Sequence, residues 1–384
     1  MMKIPINENK KAFHSGFVLL LLLFLPIWGG CLPTAGQRPS PVEESRNYYW
    51  PMPPEQPRFM WETVLRTPGD VEINQKKDVN LLKMIADDSS SSSRRVFQKP
   101  VRVAAFKGRI FVSDSMAGVI HVFDAVRRRY FQFGGRFEGK LLQPLGVAVD
   151  RAGQVYVVDS QQKVIMVYDP LGLWLRTLGK QSGMVRPGGI AVSPAGDRIY
   201  VTDRDPKDGA HHALWIFDAE GGVIHKIAKR GSGDGELSYP ADVAVGPDGR
   251  VFVLDSGNFR VQVFDRDGKF LAKWGQVGQA LGQFSRPRAL TVDRHGRVYV
   301  VDGSFVNIQV FTDDGTLLLP FGERGQEDGP GLFSSPAGIA SDETDRLYIV
   351  DQWFGKIEVF RILSEPEGAA ILTGQPLSTF RPKP

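Results

Sequence analysis

Residues 240–275 read PADVAVGPDGRVFVLDSGNFRVQVFDRDGKFLAKWG. Four short runs rich in valine and aromatics are separated by turns that carry glycine where a hairpin needs positive φ, as in GPDGR and DRDGK. In VQVFD the alternation of side chains supplies two sheet-packing faces. Versions of this unit begin at Pro100, Pro144, Pro187, Pro240, Pro287 and Pro336, at spacings of 44, 43, 53, 47 and 49 residues. A period in the forties with four strands per copy predicts a radial array of small sheets, a six-bladed β-propeller in an all-β chain. Copy three departs most, through the insertion RDPKDGAHHA after Asp203, and copy one has lost the glycine of its first strand.

The sixth copy stops after its third strand, KIEVF, which would leave an open sheet edge. The orphan run PRFMWETVL at 57–65, before the first copy, is a β-like segment available to complete it. Residues 58–65 are therefore expected to close the last blade, with Trp61 and Val64 contributing about 1.5–3 kcal/mol per large apolar side chain buried. Between that strand and copy one, Val79, Leu82 and Ile85 recur at helical spacing and predict a short helix near 78–87. Residues 363–384 carry no fourth-strand pattern and read as an irregular tail. The propeller thus spans 58–362.

Residues 240–275 resemble an NHL repeat, and the likeness extends across all six copies. That resemblance implies NHL-like blades around a central channel. For function it implies less, because such propellers serve as ligand-binding, protein-binding and occasionally enzymatic scaffolds.

The start of the chain reads as an address. A lysine-bearing opening, an apolar run at 17–27 and small residues before Cys31 form a signal peptide over 1–30. The apolar run is too short to cross a bilayer as a mature helix, which takes roughly 20 residues. Cys31 is the only cysteine and follows IWGG, a context that resembles the bacterial lipobox and implies a lipidated Cys31 anchored in the cell envelope. By the same resemblance, Leu32 rather than aspartate after the cysteine implies the outer membrane. Trp28 stands where the motif has leucine, so secretion into the periplasm or beyond and a retained anchor are the alternatives. The proline-rich segment 31–57 reads as an extended tether. The formal net charge is +4, and the first thirty residues, with Lys3, Lys10, Lys11 and Glu8, account for +2 of it. The remaining bias is too small to argue for a nucleic-acid partner.

Each second strand ends in an aspartate: Asp114, Asp159, Asp203, Asp255, Asp302 and Asp351. Six equivalents around a ring cannot converge on one substrate, and aspartates in this position are expected to accept backbone N–H bonds from the following turn. Propeller lactonases and lyases instead place metal ligands on innermost strands, aimed at the channel. His121, His225 and His295 fall on third strands, fourth strands or hairpins; His211 and His212 lie in the copy-three insertion. No catalytic set, metal site or cofactor is expected.

Residues that vary among copies are the better binding candidates. At the inner-strand starts the polar exceptions are Arg102, Asp242 and Arg288. In the turns after the second strands, copies four to six carry Phe259, Arg260, Phe305, Trp353 and Phe354, which would form one arc on the same end. The expectation is a non-catalytic module that presents a rigid surface to an envelope protein or peptide partner. The alternative is a metal-dependent propeller hydrolase or lyase.

Overall fold

The computed structural model describes residues 47–72, 94–205, 212–375 and 377. Five antiparallel four-stranded sheets span 100–133, 144–178, 187–227, 240–274 and 287–321, each a simple up-and-down meander. A sixth sheet is built from Pro336–Ser341, Arg346–Asp351 and Lys356–Ile362, with Phe59–Leu65 as its fourth strand and the short Tyr49–Trp50 paired outside it. The chain is a six-bladed β-propeller, and blades are numbered here in the order of their inner strands.

Closure follows the expected scheme. Phe59–Leu65 runs antiparallel to Lys356–Ile362, with Phe59 opposite Ile362 and Leu65 opposite Ile357. A bulge between Trp61 and Thr63 shifts the alternation along the closing strand, so the buried anchors are Phe59 and Leu65 while Trp61 and Val64 are half-buried. Phe59 stacks on Phe321 of blade 5 with ring centroids 4.4 Å apart. The closing strand therefore ties blade 6 to its neighbour as well as completing it.

Second and third strands are buried along their whole length, as in Val251–Asp255 and Arg260–Phe264, because each lies between two neighbouring blades. Outer strands such as Val223–Ile227 are exposed. Six apolar cores result, one in each gap between blades, and the gap between blades 6 and 1 is filled like the others.

The helix expected near 78–87 lies outside the described residues, as do the segment read as a signal peptide, Cys31 and the expected tether up to residue 46. At the other end the structure corrects the sequence reading: residues 363–384 are not irregular throughout, since Glu365–Leu372 forms helix α1. Its signal is the SEPE sequence, a capping box in which the Glu367 carboxylate accepts from the Ser364 backbone N–H at 2.9 Å. The helix sits beside the closing strand's entry, where Gln56 donates to the Glu365 carbonyl at 2.8 Å and Leu363 N–H to the Arg58 carbonyl at 2.8 Å.

Candidate functional site

Inner strands begin, and second strands end, at the same end of the propeller. There each ring aspartate is buried. Asp302 shows the arrangement: it accepts from the backbone N–H groups of Ser285 (2.8 Å) and Arg286 (3.0 Å), which enter the blade, and of Ser304 (2.8 Å) and Phe305 (3.2 Å), which leave its second strand. Asp114, Asp159 and Asp351 make the same two-sided set of bonds. In blades 3 and 4 side chains replace the second pair, Trp215 Nε1 reaching Asp203 at 3.1 Å and Arg260 Nε reaching Asp255 at 2.9 Å. Sequence reasoning anticipated the following turn but missed the incoming segment. The aspartates are rivets between two segments, and each has its partners built in.

Just inside this ring the hub is narrow. Each inner strand slips register immediately after its proline, which turns the next residues toward the mouth of the channel. At Gly146, Gly189 and Gly338 an added Cβ would lie 2.5–2.6 Å from Gly188 O, Asp242 Oδ1 and Val101 O respectively, so the strands approach too closely for a side chain. The space left is filled by Arg102 of blade 1 and Asp242 of blade 4, on opposite sides of the six-blade ring. Their Nε and Oδ2 lie 3.2 Å apart. Arg102 also donates to the carbonyls of Ala337 (2.5 Å) and Arg288 (2.8 Å), and so ties blades 6 and 5 to blade 1. Burial pushes the Asp242 carboxyl up from its usual range, against the pull of Arg102.

Two of the three polar exceptions therefore satisfy each other. The third, Arg288, occupies the slipped position of its strand and spends Nη1 on Ser335 Oγ (3.0 Å) and the Pro336 carbonyl (3.2 Å). Below this crossbar the channel is a cavity of about 180 Å³ walled by Ala104, Val147, Ile190, Val243 and their equivalents. Above it lies a mouth of about 290 Å³ lined by Arg102, Arg204, Arg286, Arg288, Tyr239 and Gln352, among others. Arg204 and Arg286 were not singled out from the sequence, yet a signal existed. The residues before the six prolines and after the six ring aspartates include Lys99, Arg186, Arg286 and Arg204 and not one acid. Burial and then the neighbouring Arg102 and Arg186 push Arg204 below the usual guanidinium pKa; burial, Arg286 and Arg102 do the same to Arg288.

The expected aromatic arc is corrected in two of its five members. Arg260 is buried: besides Asp255 it donates to the carbonyls of Ser232, Gly233 and Glu236 at 2.7–2.9 Å. Phe354 is also buried, with the Lys356 ammonium 5.2 Å from its ring. Both lie where the chain returns into the third strand, whose side chains face the gap between blades. Trp353, at the tip of its turn, is 75% exposed, while Phe259 and Phe305 are half-buried.

None of the described histidines lines the hub or its mouth. His121 Nδ1 pairs with Tyr130 Oη at 2.7 Å on a third strand, His225 is exposed on an outer strand, and His295 sits 3.0 Å from Asp345 in a hairpin. His212 is buried against Tyr239, where burial holds its pKa below the usual value; His211 lies outside the described residues. Among the described residues no three His, Cys, Asp or Glu side chains are grouped to hold a metal ion.

Comparison with known proteins agrees with this architecture. The NHL repeat model matches residues 237–264. Protein brain tumor of Drosophila melanogaster is 28% identical over 131 residues, 33% of this chain and 12% of that protein. E3 ubiquitin-protein ligase NHLRC1 of Rattus norvegicus is 36% identical over 75 residues, 20% of this chain and 18% of that protein. The chain thus spans under a fifth of the length of these relatives. Among solved structures, a protein of unknown function from Bacteroides thetaiotaomicron superposes with a TM-score of 0.56 at 18% identity, covering 71% of each chain. A gluconolactonase from Xanthomonas campestris gives 0.52 at 18% identity, covering 70% of this chain and 87% of its own. A streptogramin B lyase gives 0.50 at 14% identity, covering 69% and 94%. At these identities the likeness is one of fold.

Proposed function

We propose that the propeller is a non-catalytic binding module that holds an envelope protein or peptide across its arginine-bearing end. The observation that carries this reading is the make-up of that end. The hub is crossed by the Arg102–Asp242 pair, the ring carboxylates are spent on backbone, and what faces outward is an arginine-lined mouth beside the exposed Trp353 and the half-buried Phe305. Aromatic and arginine side chains on a rigid frame are the usual anchors of protein interfaces. The fold neighbours include a lactonase and a lyase, so turnover is the rival outcome of the same experiment. Affinity capture with the full chain is expected to recover a partner that the Trp353→Ala, Phe305→Ala double variant binds at least tenfold more weakly. A double variant that holds the same partner undiminished, or purified protein that opens a lactone with one tightly held divalent ion per chain, would overturn the proposal.

A further inference from the structure

We propose that the mouth is a seat for a carboxylate of the bound partner: an acidic side chain, or a chain terminus, enters between Arg204, Arg286 and Arg288. This rests on the binding-module reading and specifies what that module recognises.

The argument starts from charge bookkeeping at one cup. Arg102, Arg204, Arg286 and Arg288 line it, and the one carboxylate that also touches the hub, Asp242, is buried and committed to Arg102. The ring aspartates nearest Arg288, Asp302 and Asp351, turn their oxygens to backbone N–H groups. No described side chain pairs with the guanidinium of Arg204 or Arg286. Elsewhere on the surface this chain pairs its arginines readily, as at Arg250–Asp313 (2.5 Å), Arg266–Asp197 (2.6 Å) and Arg294–Asp345 (2.5 Å). Among the described residues that line the mouth, four are arginines and none is an acid.

Such a cluster is held together against its own repulsion. Arg288 is fixed by Ser335 and Pro336, and Arg102 by three carbonyls of other blades and Asp242. An incoming anion meets an Arg288 already fixed in place and a half-buried Arg204, which makes the contact stronger than at a free surface. The guanidinium fork matches a carboxylate in two parallel bonds. The cup is shallow and open at about 290 Å³, room for an acidic side chain and its backbone. Tyr239, 41% exposed, lines the wall, and Trp353 directly follows the lining residue Gln352. An extended chain crossing the mouth would place its acid on the arginines and its neighbouring residues on these rings, which favours a peptide over a free small acid.

The test uses the full chain in detergent and two fluorescein-labelled peptides, GSEGESG and its glutamine counterpart GSQGQSG, both amidated. By anisotropy in low salt the glutamate peptide is expected to bind at least tenfold more tightly, with the preference shrinking as added salt screens the charges. The Arg204→Gln, Arg286→Gln double variant should lose the preference while melting like the wild type. Arg127→Gln with Arg129→Gln, in a hairpin at the opposite end, should keep it. Equal binding of the two peptides, a preference retained by the mouth variant, tighter binding of citrate than of the peptide, or equal binding of an oligothymidine of matched charge would each overturn the seat. If any of these occurs while the Trp353→Ala, Phe305→Ala variant still loses its captured partner, the seat is wrong and the module stands.

Discussion

Six aspartates and a group of arginines lie within a few residues of each other at one end of the propeller, and they differ in what satisfies them. Asp302 and its equivalents accept N–H groups from two segments of their own blade, so every blade carries both the charge and its partners. Arg204 directly follows Asp203 and no other blade carries a charge at its position, while Arg286 precedes an inner-strand proline, a position that is basic also in blades 1 and 3 as Lys99 and Arg186. A charge that repeats with the fold is satisfied by the fold. A charge that appears once, in a position where other blades carry serine, glutamine or glycine, needs a partner from elsewhere in the chain or from outside it. Arg102 found one in Asp242, across the hub.

The comparison breaks most visibly if a rivet is removed. Asp302→Ala would strand up to four backbone donors in a buried site, at about 1–3 kcal/mol for a buried group left unsatisfied. We expect a loss of about 3 kcal/mol in urea denaturation, and a smaller loss for Asp302→Asn, which keeps one acceptor oxygen. A cost under 1 kcal/mol for the alanine variant would mean that the ring aspartates are as dispensable as surface charges.

An intermediate case sharpens it. In blades 4 and 5 a third-strand glutamine accepts a glycine N–H from the loop below: Gln262 from Gly235 at 3.0 Å, Gln309 from Gly282 at 2.7 Å. Blade 6 has Glu358 there, accepting from Gly331 at 2.8 Å and paired with the buried Lys356, itself 2.9 Å from Asp328. Burial pushes Glu358 up to about 7, with Lys356 pulling the other way. Because the folded chain then holds a proton that the unfolded chain releases above its usual value of 4.5, stability falls as pH rises from about 4.5 to about 7 and is level beyond. Glu358→Gln gives blade 6 the residue that blades 4 and 5 carry and should flatten that fall. Asp242 shifts in the same direction in both proteins, so the difference between their melting curves isolates Glu358. A wild type and variant whose Tm values change in parallel from pH 5 to pH 7.5 would show that Glu358 does not titrate there.

The fold was legible because its signals repeat: six prolines, six aspartates and a glycine in most hairpins leave one arrangement, and the missing outer strand had one candidate. The site was legible only in part. Arg102, Asp242 and Arg288 stood out as exceptions at one register position, but whether exceptions face each other depends on blade number. Positions in blades 1 and 4 meet across a ring of six, and that made Arg102 and Asp242 a crossbar. Arg260 was misplaced because a turn tip and the first residue of the next strand look alike in sequence, while the pleat sends the strand residue into the gap between blades; Phe354 lies within its turn, beside the exposed Trp353, and is buried next to the Lys356 ammonium. Arg204 and Arg286 went unremarked because they adjoin conserved-looking structural positions in the repeat, not variable ones. The absence of acids across those twelve positions was the available clue. Helix α1 was missed because its capping box lay in a segment already read as leftover chain.

The smallest expected effect is the most discriminating. If the mouth arginines lack partners, replacing them removes repulsion and little else. Arg286 is exposed and Arg204 half-buried, and burial followed by the neighbouring Arg102 and Arg186 holds Arg204 below the usual guanidinium range. Arg204→Gln and Arg286→Gln should each change stability by no more than about 0.5 kcal/mol, the range of surface substitutions that break no specific contact. Any change should favour the variant at low salt, where the repulsion among guanidinium groups is least screened, and should vanish at high salt. Urea midpoints at the two ionic strengths read this directly. A loss above 1 kcal/mol, insensitive to salt, would place these arginines with Arg102 among the residues that hold the propeller together, and the distinction between repeated and solitary charges would no longer separate structure from function at this end of the molecule.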